Sequence, residues 1–188
     1  MAATDTTRRE PDLPRLALSV PNMSEPAELV ELGVRAEASG WDGVFLWDHA
    51  HGSPRMPVPM ADPWVVLGAL ATRTERVTLG TAITAAARRR PQKLARETVT
   101  VDRLSGGRMV LGVGLGEPPE EYTAYGETAD RRVVADKHDE ALEVLARMWS
   151  GSETERADYA EAGVTWVMVT GWVEQLGDLV DLASTRPS

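Results

Sequence analysis

The chain of 188 residues is long enough for one domain with a real core, and its 43% hydrophobic content is typical of a globular protein. A net charge of -9 argues against nucleic acid as a partner, because phosphate binding needs clustered Lys and Arg. The absence of cysteine excludes disulfides and thiolate metal sites. It also fits the reducing cytoplasm, which is the predicted location. No apolar run is long enough to span a membrane.

The predicted elements begin after a polar segment, residues 1–14, which lacks the apolar stretch of a secretory signal and is expected to be a disordered tail. Residues 15–188 are then expected to form a single domain. β-Branched apolar runs predict strands at 15–21, 41–47, 76–84, 108–116 and 164–171.

Helical spacing fills the stretches between these strands. The first helix is predicted to follow an N-cap at Ser24, and the second to open at Asp62-Pro63. The third covers about 91–104 and the fourth about 131–149. Strands that alternate with helices predict an α/β fold with right-handed crossovers and a mostly parallel sheet.

The spacing of the strands indicates an incomplete barrel. The first four strand starts are evenly spaced, whereas the fifth, near Val164, follows the fourth helix and a predicted short helix at 153–162. About five strands are expected, and a closed eight-stranded TIM barrel typically needs about 250 residues. The predicted fold is therefore an incomplete TIM-barrel-like βα series. Its open sheet edges favour a homodimer.

Polar residues end the second predicted strand, where Asp48 and His49 follow Val44–Trp47 and His51 comes two residues later. The carboxyl ends of such strands carry the active sites of βα barrels. Three interpretations remain open: the lining of a cofactor site, a structural polar end, and a metal site. A metal site needs three or four converging ligands, and only His51 is suitably spaced, so no metal is expected.

Two further patterns suggest ligand contacts. Gly112, Gly114 and Gly116 alternate at the end of the fourth strand, where they would let a planar ring or a phosphate approach the backbone. They do not form G-x-G-x-x-G, which argues against a dinucleotide loop. The arginines at 88–90 precede the third helix, and two interpretations of them remain open. One of the three, with Arg90 as the candidate, would bind a cofactor phosphate near the helix N-terminus. Alternatively, all three lie on the solvated surface.

Several separate motifs resemble a known family. The segments EASGWDGVFLWDHA, DPWVVLGALATRTERVTLGTAIT, RRRPQKLARETVTVDRLSGGRMVLGVGLGEPPEEYTAYGE and DEALEVLARMWSG resemble, in order and spacing, the N-terminal half of the luciferase-like monooxygenases. These are TIM-barrel oxidoreductases that depend on flavin or deazaflavin F420. The resemblance covers about residues 15–151, and residues 157–171 resemble the last helix–strand unit. The chain resembles a member without the middle of the barrel.

The resemblance implies a cofactor, a reaction and site residues. The cofactor would be FMN or coenzyme F420, and hydride would move to or from a small organic substrate. His49 would be the acid/base, Glu117 a proton donor and Asp48 a cofactor contact. A non-prolyl cis peptide or an ordinary trans bulge is expected at Ala82–Ile83. The implied cofactor-binding residues are Asp48, Ala82, Ile83, Thr84, Arg90, Gly114 and Gly116. The alternative function is a non-catalytic scaffold that binds a flavin or a protein.

Overall fold

A computed structural model describes residues 15–50, 58–149 and 166–169, so the predicted tail, His51 and the predicted helix at 153–162 lie outside the described residues. The described residues form one parallel sheet of five strands in the order β4-β3-β2-β1-β5. The strands are β1 Arg15–Val20, β2 Gly43–Leu46, β3 Thr78–Ala85, β4 Met109–Gly114 and β5 Trp166–Val169. The prediction of about five mostly parallel strands is confirmed.

Helices separate successive strands in the part of the chain described. They are α1 Pro26–Ala38, α2 Pro63–Arg73, α3 Pro91–Ser105, α4 Glu120–Thr123 and α5 Arg131–Trp149. A 3₁₀ turn at Ala86–Arg88 follows β3. The short helix α4 is an addition to the predicted series.

The core lies between the helices and one face of the sheet. Alternate side chains of a strand point to opposite faces, so β1 and β2 each send every second residue into this core. The strand residues of the core are Leu18, Val20, Val44, Leu46, Leu79 and Met109. On the other face, Phe45 is buried beside Gly80, where a Cβ would lie 2.3 Å from the carbonyl oxygen of Val110. That contact explains a glycine inside β3.

The helix starts show where local sequence signals were sufficient. At α2 the carboxylate of Asp62 accepts hydrogen bonds from the backbone N–H groups of Trp64 and Val65, as expected for an N-cap. The predicted cap at Ser24 is wrong. The N-cap of α1 is Glu25, and the Ser24 hydroxyl donates to the Glu28 carboxylate at 2.6 Å instead of accepting from a backbone N–H.

The sheet order places three connections at the same end of the sheet, where the carboxyl ends of the strands lie. Strands β2, β3 and β4 are neighbours and parallel, so the segments that follow their carboxyl ends emerge side by side. These segments are residues 47–50, the 3₁₀ turn and the loop that leads into α4. Among the described helices, none combines the length and the apolar character that crossing a bilayer requires.

Candidate active site

A cavity of about 240 Å³ opens at the carboxyl ends of these strands. Residues from the ends of β2, β3 and β4 line it: Trp47, Asp48, His49, Ala82, Ile83, Arg88, Gly116 and Glu117. The structure therefore brings together Asp48, His49 and Glu117, which the sequence singled out on two separate strands.

The floor of the cavity comes from β3. The Ala82–Ile83 peptide is cis, which resolves the two alternatives expected there, and the pairing of β3 with β4 shifts register between Thr81 and Thr84. The side chain of Ile83 is 37% exposed, which is high for a large apolar residue in the sheet. Gly114 lies against it, because a Cβ at that position would be 3.1 Å from Cδ1 of Ile83. The floor thus presents apolar surface to the cavity.

Asp48 is buried and its carboxylate is fully engaged. It accepts hydrogen bonds from the Thr84 hydroxyl at 2.8 Å and from the Arg89 guanidinium at 2.8 and 2.5 Å. Arg89 also lies over the ring of Trp64, with 5.9 Å to the centroid. Thr84, a predicted cofactor contact, is 0% exposed, and its hydroxyl hydrogen bond holds the Asp48 carboxylate in place. These bonds fix the end of β2, where the cavity begins.

His49 is held by residues from two other connections. Its Nδ1 lies 2.6 Å from Oε1 of Glu121, a carboxylate that is only 1% exposed. The other oxygen of Glu121 accepts a hydrogen bond from Arg88, which also donates to the Asp48 carbonyl oxygen at 2.6 Å. The ring of Trp47 packs edge-on against the imidazole, with the centroids 5.5 Å apart.

The electrostatics favour a neutral imidazole at His49. Burial and then the nearby Arg88 guanidinium lower the pKa of His49 from 6.5, while the Asp48 charge opposes them. Glu121 is paired with Arg88, so the negative charge of its carboxylate and the positive charge of the guanidinium largely cancel in their effect on the imidazole. A neutral imidazole with Nδ1–H donated to Glu121 leaves Nε2 able to accept a proton.

The arginines at 88–90 are divided between interior and surface. Arg88 and Arg89 are half-buried and paired with Glu121 and Asp48, so the solvated-surface interpretation does not describe them. Arg90, the predicted phosphate contact, is exposed and is the N-cap residue of α3. The three side chains therefore have different roles although they are adjacent in sequence.

Glu117 and Gly116 form the wall from β4. Glu117 is 61% exposed and pairs with Arg131 at the start of α5, so its carboxylate faces solvent as well as the cavity. Gly116 has φ of 79°, a left-handed conformation that favours glycine, and a Cβ there would meet the Cβ of Ala85 at 2.7 Å. This glycine lets the wall turn tightly beside β3.

Glu121 is the functional candidate that the sequence analysis missed. It lies in a segment with two prolines and three glutamates, where a carboxylate at a helix start is usually solvated. The local sequence contains no usable signal for Glu121, because α4 is only four residues long and Glu120, its neighbour in the same helix, is exposed. The inward turn of Glu121 depends on partners from β2 and the 3₁₀ turn.

Comparison with known proteins gives consistent matches. The family model of the luciferase-like monooxygenases matches residues 9–171. The chain is 40% identical over 139 residues to the F420-dependent glucose-6-phosphate dehydrogenase of Microbacterium testaceum, a match that covers 71% of this chain and 39% of the relative. The chain thus spans about two fifths of the length of the relative.

Solved structures share the fold. An F420-dependent secondary alcohol dehydrogenase in complex with an F420-acetone adduct matches 74% of this chain and 43% of its own, with a TM-score of 0.68 and 28% identity. The oxygenating constituent of 3,6-diketocamphane monooxygenase from Pseudomonas putida, in complex with FMN, matches with a TM-score of 0.64 and 19% identity, covering 73% and 40% of the two chains. The latter likeness concerns the fold alone.

Proposed function

Since the chain belongs to the luciferase-like monooxygenase family, we propose that it is an oxidoreductase that transfers hydride between a small organic substrate and coenzyme F420. The observation that carries the proposal is that His49 and Glu117, from different strands, line one cavity with an apolar floor. In open α/β sheets, ligands bind at the carboxyl ends of the strands.

The residues at the cavity fit a flat, largely apolar ring with a few polar edges. Trp47, Ala82 and Ile83 supply apolar surface, and His49 and Glu117 supply polar groups. At about 240 Å³ the cavity is below the roughly 300–1,000 Å³ of pockets that enclose a drug-sized ligand. It has room for a ring system, and a cofactor's tail would lie outside it.

The chemistry assigned to this chain is proton transfer and orientation. The bound cofactor would supply the hydride acceptor or donor. In alcohol oxidation, Nε2 of neutral His49 would take the hydroxyl proton, and the cofactor would supply the acceptor for the carbinol hydride, so that the alcohol becomes a carbonyl. Glu117 lines the same cavity and is proposed as a proton donor to the cofactor.

F420 is preferred to FMN because of the names of two matched enzymes. The relative at 40% identity is named as F420-dependent, and so is the structure at 28% identity. These names describe those proteins, and their substrates are carried over only as a class, small alcohols or sugar hydroxyls. The non-catalytic scaffold is not favoured, because these matched proteins are named as enzymes.

Binding of both cofactors to the purified chain tests the proposal. F420 at 100 times its dissociation constant should stabilise the fold by about 2.7 kcal/mol, measured as a rise in melting temperature, and its fluorescence should change. A rise with FMN alone would reassign the cofactor. No shift and no fluorescence change with either cofactor would reject the proposed function.

Substitution of His49 separates catalysis from binding. His49→Gln should lower turnover by about 10²- to 10⁴-fold while cofactor affinity changes little, since the imidazole acts on the proton. His138→Gln on α5 is the matched control and should leave turnover unchanged. Equal losses of turnover and affinity in His49→Gln would instead make His49 a binding residue.

A homodimer and a cytoplasmic location remain proposals. Among the described residues, β4 and β5 each pair with a strand on one side only, and such edges support association with a second copy. Sedimentation at micromolar concentration should then give a species near twice 20.4 kDa, and a well-folded monomer would contradict the dimer.

A further inference from the structure

Glu121 is a buried carboxylate with two partners at the cavity wall. It is 1% exposed, and each of its oxygens is engaged, one by Nδ1 of His49 at 2.6 Å and the other by Arg88. A carboxylate is rarely buried so completely unless it is paired. Helix formation alone does not account for its inward position, since α4 has only four residues.

We propose that Glu121 is the positioning residue of this site, holding the proton of His49 on Nδ1 so that Nε2 is the nitrogen that exchanges a proton with the substrate. The role in catalysis rests on the proposed function. The tautomer itself is a property of the chain without any ligand.

The geometry supports one direction of the hydrogen bond. A neutral imidazole has one N–H, and an ionised carboxylate can only accept, so the contact at 2.6 Å requires the proton on Nδ1. The ring orientation is fixed as well, because the backbone of His49 bonds to Asn22 and its ring packs against Trp47. Nε2 is left as the acceptor.

Charges that face His49 come from every connection at this edge. Asp48 is its chain neighbour, Arg88 comes from the 3₁₀ turn and Glu121 from α4, and Glu117 lines the same cavity. Asp48 is bound by Arg89 and Glu121 by Arg88, so both inner carboxylates are charge-balanced. When His49 accepts a proton, Glu121 is the carboxylate in direct contact with the imidazolium.

The same carboxylate joins the three strand ends. Through His49 it reaches the end of β2, through Arg88 the turn after β3, and through its own backbone the loop after β4. Arg88 continues the link to the Asp48 carbonyl oxygen at 2.6 Å. Loss of Glu121 should therefore alter His49 before it alters the apolar core, which contains none of these groups.

Nitrogen-15 NMR of the histidine-labelled full chain tests the proposal without a cofactor. The signals of His49 are identified by their loss in His49→Gln. In the unmodified chain they should show the Nδ1–H tautomer, and in Glu121→Ala they should move toward the Nε2–H tautomer. An Nδ1–H pattern that persists in Glu121→Ala would overturn the proposal.

A second variant covers the case in which Glu121→Ala fails to fold. Glu121→Gln keeps the shape and an acceptor oxygen but removes the charge that offsets Arg88, so the pKa of His49 should fall further. An unchanged pKa in Glu121→Gln would count against the proposal. Glu120→Gln, an exposed neighbour on the same helix, is the matched control and should leave tautomer and pKa as they are.

Kinetics then connect the tautomer to catalysis. If the chain turns over with F420, Glu121→Ala should lower kcat roughly tenfold or more, as is typical when the group that orients a functional imidazole is removed. The acid limb of the kcat/KM profile should move to lower pH in Glu121→Gln. Absence of turnover in the unmodified chain would reject the proposed function, while the NMR result would still decide the role of Glu121.

Discussion

The pair formed by Asp48 and Arg89 allows a quantitative prediction about the stability of the site. Asp48→Asn keeps the shape of the side chain and an acceptor for the Thr84 hydroxyl, but it removes the charge that receives two hydrogen bonds from Arg89. The half-buried guanidinium would then keep only the more distant carboxylate of Glu97, 3.9 Å away, as a paired charge.

The magnitude follows from burial. Breaking a fully buried ion pair costs about 3–5 kcal/mol. The Asp48 side chain is 3% exposed but that of Arg89 is 24% exposed, so water screens part of the guanidinium charge. We expect Asp48→Asn to lower the free energy of unfolding by about 2–3 kcal/mol. For a chain of this size that corresponds to a melting temperature lower by about 4–12 °C.

Urea unfolding followed by circular dichroism measures this change, with the slope against denaturant checked for constancy. The control is Glu31→Gln, which breaks an exposed pair with Arg73 at 3.0 Å in which both side chains are 54% exposed. That variant should change stability by less than about 1 kcal/mol. If Asp48→Asn costs no more than Glu31→Gln, the pair does not stabilise the end of β2.

Two further predictions concern glycine and pH. Gly68→Ala should raise stability by about 0.5–1 kcal/mol, because Gly68 lies inside α2 with open space where a Cβ would point. Gly112→Ala should cost about 1–3 kcal/mol, because the Cβ would lie 2.2 Å from the Thr81 carbonyl oxygen; equal melting temperatures for the two variants would contradict this packing. The folded-state pKa of His49 lies below 6.5, so the unfolded chain takes up this proton first as pH falls, and stability decreases from about pH 6.5 down to the folded pKa. His49→Gln should weaken that dependence in pH-resolved thermal melts, and an identical slope would show that His49 does not contribute.

The order of strands and helices was predictable because it is encoded locally. Apolar periodicity identified the sheet and its helices, and the cap at Asp62 marked the start of α2 correctly. The ends of β2 and β4 also pointed to Asp48, His49 and Glu117, because parallel strands deliver their carboxyl ends to one edge. Their roles in binding and catalysis are still predictions.

Side-chain direction within the site was not predictable, because it depends on partners that are distant in sequence. Arg88, Arg89 and Arg90 are alike as a sequence, yet two turn inward toward carboxylates and one faces solvent. Glu121 turns inward because His49 and Arg88 meet it there. The error at Ser24 has a different origin, since a neighbouring acidic side chain competed for its hydroxyl.

The place of β1 in the sheet has a consequence for how the chain folds during synthesis. Ala17 pairs with Gly43 on one side and with Met168 on the other. The first pairing becomes available once little more than β2 has left the ribosome, whereas the second must wait until β5 has been synthesised, after α5. For that interval β1 carries an unoccupied row of hydrogen-bonding groups, and a nascent chain arrested before β5 is exposed to mispairing along it.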